Sequence, residues 1–173
     1  MGANASNGPP RRVPLRLPGF DYGCPGAYFV TICTYGRKCT LGDVVQGIFR
    51  PSAAGIVVAE CWYELPYHYA GVALDSFAVM PNHVHAVVGL LDPVGAGLKP
   101  ALAAGRRTLS EVMRAFKTFS GRRINELCGT GGLPVWQRGF YDHIIRNEKG
   151  LSQVRRYIAN NPGNWDNDPE NWF

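Results

Sequence analysis

Two apolar runs separated by a Pro-Asn pair constrain this chain more than any other feature. Residues Val72–Met80 (VALDSFAVM) and His83–Leu90 (HVHAVVGL) are rich in β-branched and aromatic side chains, and Pro81-Asn82 between them is turn chemistry. They predict an antiparallel hairpin. Alternation in the second run puts His83, His85 and Val87 on one face and Val84, Ala86 and Val88 on the other, toward the packing helices. Residues 28–35 (YFVTICTY), with Pro25-Gly26 before and Gly36 after, read as another strand, and 44–49 as a shorter one. Pro51-Ser52 opens a helix in which Ile56, Val57, Ala59, Trp62 and Tyr63 recur near helical spacing until Pro66 stops it.

Residues 92–107 form a Gly/Ala/Pro connector. Thr108-x-x-Glu111 is a capping box opening a helix with Leu109, Val112, Met113 and Phe116 on one face and Arg114 and Lys117 outward. Residues 140–146 (FYDHIIR) are a fourth main strand, and 148–161 a last helix ended by Pro162, which disfavours helical geometry at Asn161. The order β-α-β-β-α-β with an appended helix predicts an α+β fold. It is a ferredoxin-like split βαβ antiparallel sheet with two helices on one face and an extra C-terminal helix, bearing Tyr157, on the other.

With 173 residues, one domain over 21–173 is expected, preceded by a flexible basic arm over 1–20 that carries Arg11, Arg12 and Arg16. The five cysteines contain no C-x-x-C and leave one over in any pairing, which supports neither a disulfide framework nor a zinc ribbon. The N-terminus has no apolar h-region, and no apolar stretch is long enough to span a bilayer. A cytoplasmic, nucleoid-associated chain with no membrane partner is expected. Net charge is +5, and residues 106–156 hold eleven basic against four acidic side chains. Such a segment suits a surface that tracks phosphates, or a solvated basic face.

His83 and His85, at i and i+2 on a strand, leave one face about 7 Å apart at their roots, close enough to converge on one ion. Two surface histidines on a half-exposed strand would read the same way. Tyr157 and Asn161, four residues apart, share a helix face, with Tyr157 at the edge of the apolar stripe of Leu151, Val154 and Ile158. A tyrosine packed at a helix boundary is the plainer alternative. Together these residues suit one chemistry. A divalent cation held by two imidazoles and an amide oxygen keeps positions open for a phosphate oxygen. Attack by Tyr157 then turns cleavage into two reversible transesterifications through a phosphotyrosine that keeps the energy of the phosphodiester. No Gly-Lys pair exists, hence no Walker A loop, and no nucleotide cofactor is expected.

These residues lie in blocks that resemble a known family. MPNHVHAVV (80–88), PVWQRGFYDHIIRNEKGL (134–151) and RRYIANNP (155–162) look like motifs of the REP-associated tyrosine transposases, within the HUH single-tyrosine (IS200-like) transposases. LPGFDYGCPGAYFVTICTYGRK (17–38) looks like their N-terminal block, so the likeness spans residues 15–168. The resemblance implies cleavage and joining of single-stranded DNA at hairpin repeats with Mg²⁺ or Mn²⁺, by a monomer or homodimer. It implies His83, His85 and Asn161 as metal ligands and Tyr157 as nucleophile. Candidate DNA contacts are Arg114, Lys117, Arg122, Arg123, Trp136, Gln137, Arg138, His143, Arg155 and Arg156, with Trp136 equally suited to anchoring a loop from the core and His143 better suited to a structural role. An idle DNA-binding regulator of the same fold, or a metal nuclease using water, are the alternatives.

Overall fold

A computed structural model of the protein describes residues 23–91 and 107–171. The basic arm over 1–20 and all but the last residue of the 92–107 connector lie outside the described residues. In chain order the elements are β1 (Gly26–Cys33), β2 (Gly42–Val45), β3 (Ile48–Pro51), α1 (Ala53–Tyr63), α2 (Leu65–His68), β4 (Val72–Met80), β5 (His83–Leu90), α3 (Leu109–Cys128), β6 (Tyr141–Ile145) and α4 (Glu148–Asn160). A 3₁₀ segment, Pro162–Asn167, follows α4. The main sheet runs β4-β5-β1-β6 with every neighbour antiparallel, which is the split βαβ order of the expected α+β fold. Among the described residues no helix is long and apolar enough to cross a membrane.

The hairpin of β4 and β5 has the bounds that the alternation gave, with Met80 opposite His83 across the Pro81-Asn82 turn. On one face Tyr28, Val30 and Ile32 of β1 meet Val84, Ala86 and Val88 of β5, and all six are sealed from water by α1 and α3. Trp62 of α1 stacks on Phe77 of β4 at 5.0 Å and meets Phe116 of α3 edge-on at 5.3 Å, arrangements that aromatic quadrupoles favour. Helix α3 starts on the capping box. Thr108 Oγ1 accepts from the Glu111 backbone N–H, and the Glu111 carboxylate accepts from the Thr108 N–H. Leu109, Val112, Met113 and Phe116 are buried as the 3.6 period requires.

Three local readings change. The run 44–49 is a hairpin, because Gln46 and Gly47 both take positive φ (53° and 72°) and fold β2 back onto β3. In α1 the buried residues are Ala54, Gly55, Val58, Cys61 and Trp62, whereas Ile56 and Tyr63 are exposed. The helix turns its small residues inward because it lies against the 41–42 backbone; a Cβ on Gly55 would sit 2.1 Å from the Leu41 carbonyl oxygen. Pro66 falls in the first turn of α2, where its missing N–H costs nothing.

Helix α4 covers the other sheet face, with Ile158 buried and Leu151 and Val154 half-buried. Its position is fixed at the edge strand. A register shift between Leu74 and Phe77 breaks the ladder of β4 around Asp75, whose carboxylate takes a forked pair of hydrogen bonds from Arg155 of α4. That fork, with help from Ser76, holds the Asp75 carboxyl down at about 2. A depressed carboxyl contributes stability above its unfolded value near 4 and loses it as pH falls toward 2. Asp75→Asn should therefore lower stability at pH 7 by about 0.5–1 kcal/mol, a range set by solvent screening of a partly exposed pair. In urea unfolding the gap from wild type should close between about pH 4 and 2; a gap constant over that range would mean that the charge is not its source.

Candidate metal and tyrosine site

The first residue of β5 is His83, so the turn that starts the strand also aims the pair. Val84 enters the core, and His83 and His85 point to the face beneath α4, where they are 0% and 2% exposed. They are not the surface histidines that the spacing alone allowed. Each ring is fixed through Nδ1. The Asn82 side-chain oxygen accepts from His83 Nδ1 at 2.7 Å, and His85 Nδ1 lies 2.8 Å from Thr31 Oγ1. Asn82 is itself held by donating its amide to the Glu170 carbonyl at 2.8 Å. The two Nε2 atoms are left facing each other at 3.0 Å. Burial, reinforced by Arg37 for His83 and by His83 for His85, pushes both imidazoles down to about 3. Both are neutral across the physiological range, and neutral imidazole is the form that binds a metal.

Asp168 completes the group. Its Oδ2 lies 3.9 Å from His83 Nε2, and the ligand atoms of His83, His85 and Asp168 all fall within 4.8 Å of one another. Asp168 Oδ1 accepts from the Glu170 N–H at 2.7 Å, but the buried Oδ2 has no hydrogen-bond partner. The buried Asn161 Oδ1 has none either. Asn161 is helical (φ −59°, ψ −43°), contrary to the expected effect of Pro162, which instead tightens the chain into the 3₁₀ segment that delivers Asp168. An orphaned buried oxygen costs about 1–3 kcal/mol, and Asp168 Oδ2 beside His83 and His85 makes a donor set that fits a divalent cation, while Asn161 lines one cavity with Asp168 and Tyr157. Residues 168–170 are strapped across the site: Arg37 pairs with the Glu170 carboxylate, which also takes a hydrogen bond from Cys33 Sγ at 3.3 Å. Asp168 lay beyond the spacing rules that marked the histidines. Its one local signal is the Asp-Pro step, which holds it extended at ψ 130°.

Tyr157 reaches the same place from above. Its hydroxyl is 3.2 Å from His85 Nε2, and its ring stands edge-on to Phe29 at 6.0 Å. At 42% exposed, the ring keeps one side open to a cavity of about 360 Å³ lined also by Thr31, His85, Arg37 and Arg138. Burial and the Asp168 charge raise the phenol above its ordinary value, opposed by a hydrogen bond to the Asn161 side chain. The phenol is thus protonated near neutral pH. Arg155, two residues before Tyr157 and a candidate DNA contact, is held by Asp75.

Other sequence candidates are divided between framework and surface. Arg123 joins α3 to α1 through Glu60 and Glu64. Lys117 does not point outward: its Nζ donates to the carbonyls of Gln137 and Gly139 and pins that loop. Trp136 is buried and gives its indole N–H to Ser120 Oγ at 2.9 Å, so it anchors the loop rather than offering a stacking face. Gln137 ties the same loop to β1 through its backbone N–H. His143 pairs across from Phe29 on the site's face of the sheet but is exposed at the edge strand. Arg114, Arg122, Arg138 and Arg156 are exposed.

No family model matches the chain. An uncharacterized protein of Haemophilus influenzae is 32% identical over 169 residues, covering 91% of this chain and 91% of its own. The fold aligns with the solved structure of a REP-associated tyrosine transposase bound to a REP hairpin, at a TM-score of 0.57 and 19% identity, over 81% of this chain and 68% of that one. The chain belongs to one family with the Haemophilus protein, and the fold it carries is that of the REP-associated tyrosine transposases.

Proposed function

We propose that the protein is a metal-dependent endonuclease and strand transferase for single-stranded DNA, acting beside hairpin repeats through a covalent bond to Tyr157. The observation that carries this reading is the convergence of the Tyr157 hydroxyl on a buried His-His-Asp group whose Asp168 Oδ2 has no hydrogen-bond partner. The REP hairpin bound by the transposase of like fold supports the choice of DNA. His83 and His85 through Nε2, Asp168 through Oδ2 and Asn161 through Oδ1 would hold Mg²⁺ or Mn²⁺. Bound there, the ion supplies Lewis-acid polarisation of a phosphate oxygen.

The chain's own groups carry the rest. Tyr157 Oη attacks phosphorus, a phosphorus–phenol oxygen bond forms, and the bond from phosphorus to one deoxyribose oxygen breaks. The phenol proton leaves to water through the open side of the ring, and the departing oxygen takes one up. Phe29 against the ring edge and the strap over 168–170 restrict where the phenol can point. One phosphodiester replaces another, so the step is reversible and rejoining needs no nucleotide.

Incubating the protein with a single-stranded hairpin oligonucleotide carrying unpaired flanks and Mn²⁺ or Mg²⁺ should give an adduct that survives denaturing electrophoresis. Tyr157→Phe should bind the oligonucleotide and form none. Cleavage by the Phe variant at the wild-type rate would assign the nucleophile to water, and binding without cleavage by wild type would leave an idle DNA-binding module. His85→Ala and Asp168→Asn should each weaken Mn²⁺ binding, measured by calorimetry without DNA, by at least about tenfold. Unchanged affinity in both variants would overturn this ligand set.

A further inference from the structure

Two cavities share one wall. The cavity beside Tyr157 and a groove of about 560 Å³ along α3 have Gln137, Arg138, Gly139 and Phe140 in common. They lie on opposite sides of the sheet, since α3 packs on the Val84–Ala86 side and Tyr157 on the His85 side. The common wall sits where the chain enters β6, the outermost strand on that side. A chain leaving the tyrosine can therefore round the β6 edge without crossing any element.

The groove is built for phosphates. Arg114, Lys117, Arg122 and Arg138 line it, and no acidic residue does. The guanidinium groups of Arg114, Arg122 and Arg138 make no salt bridge or hydrogen bond among the described residues, whereas Arg37, Arg123 and Arg155 each hold a carboxylate. Glu111, the acid nearest Arg114 along α3, is engaged by the Thr108 cap. Arg114, Thr118, Arg122 and Asn125 follow one another at helical spacing along the groove, with Arg114 and Arg122 about 12 Å apart along the axis. Opposite them Leu133, Val135 and Phe140 supply apolar surface for base faces. Lys117 keeps the rim in place by clamping the Gln137 and Gly139 carbonyls. A volume of this size is in the range that small ligands fill, about 300–1,000 Å³, and admits one or two nucleotides but not a double helix.

We propose that the groove between α3 and the 132–140 loop binds an unpaired stretch of DNA that continues, over the 137–140 rim, from the strand held at Tyr157. The identity of that strand rests on the strand-transfer reading above; the groove's preference for unpaired DNA does not.

The test measures binding of a labelled oligothymidylate of about ten residues and of a blunt duplex of the same length, without metal. Arg114→Gln with Arg122→Gln should weaken the single strand at least about tenfold and flatten its salt slope by about 1.4, with the duplex changing by less than about threefold. Gly121→Leu, which fills the groove and keeps every charge, should weaken the single strand likewise; a Cβ there has only ordinary contacts, and thermal unfolding checks the fold. Unchanged oligothymidylate binding in the arginine pair, equal losses for single strand and duplex, or wild-type binding by a folded Gly121→Leu would each overturn the groove. Adduct formation at Tyr157 is scored separately: its absence with the groove result intact removes the transferase reading alone, and its presence with the groove result failed removes the groove alone.

Discussion

Strand β5 has water on neither face, and the site follows from that constraint. Val84, Ala86 and Val88 on the inner face meet the α1/α3 core, which any apolar strand could do. On the outer face two imidazoles are buried, and a buried imidazole needs a partner for each nitrogen. Asn82 and Thr31 answer the two Nδ1 atoms, while the Nε2 atoms have each other and the Tyr157 hydroxyl. Burial also removes their charge. The same act of covering the strand makes the pair neutral, orients it and turns its lone pairs to one point. Valines in place of both would bury without this polar cost, so the polarity reads as serving a site rather than stability.

Seven of the described arginines fall into two populations. Arg37, Arg123 and Arg155 hold Glu170, the Glu60/Glu64 pair and Asp75, and each ion pair joins elements distant in sequence. Arg155 in particular sets where the helix of Tyr157 sits on β4. Arg114, Arg122, Arg138 and Arg156 remain exposed, and their charge faces outward. A count of basic residues in 106–156 overstates that outward charge, because some of the charge is already answered inside the protein.

What was legible in the sequence was periodic or local. The bounds of β4 and β5, the capping box of α3 and the face shared by His83 and His85 rest on alternation, on a four-residue cap and on a two-residue turn. The placement of α4 over the histidines followed from there being one uncovered sheet face. What was not legible depends on contacts distant in sequence. Nothing near Arg123 announces Glu60, nothing near Lys117 announces two loop carbonyls, and nothing in the tail announces that Asp168 meets His83. The buried side of α1 was misread for a related reason: a backbone carbonyl at Leu41 demanded the smallest residue, so Gly55 faces inward and the larger Ile56 outward.

The bond from Asn82 to the Glu170 carbonyl spans 88 residues of chain, which gives the site a history during synthesis. At about 5–20 residues per second, roughly 4–18 s separate the making of the histidine turn from the making of the segment that carries the carboxylate. Over that interval the residues of β4, β5 and α3 have been made while the His-His-Asp group still lacks its carboxylate. On the proposed function, the basic residues of α3 are therefore made before the centre that would cut is complete.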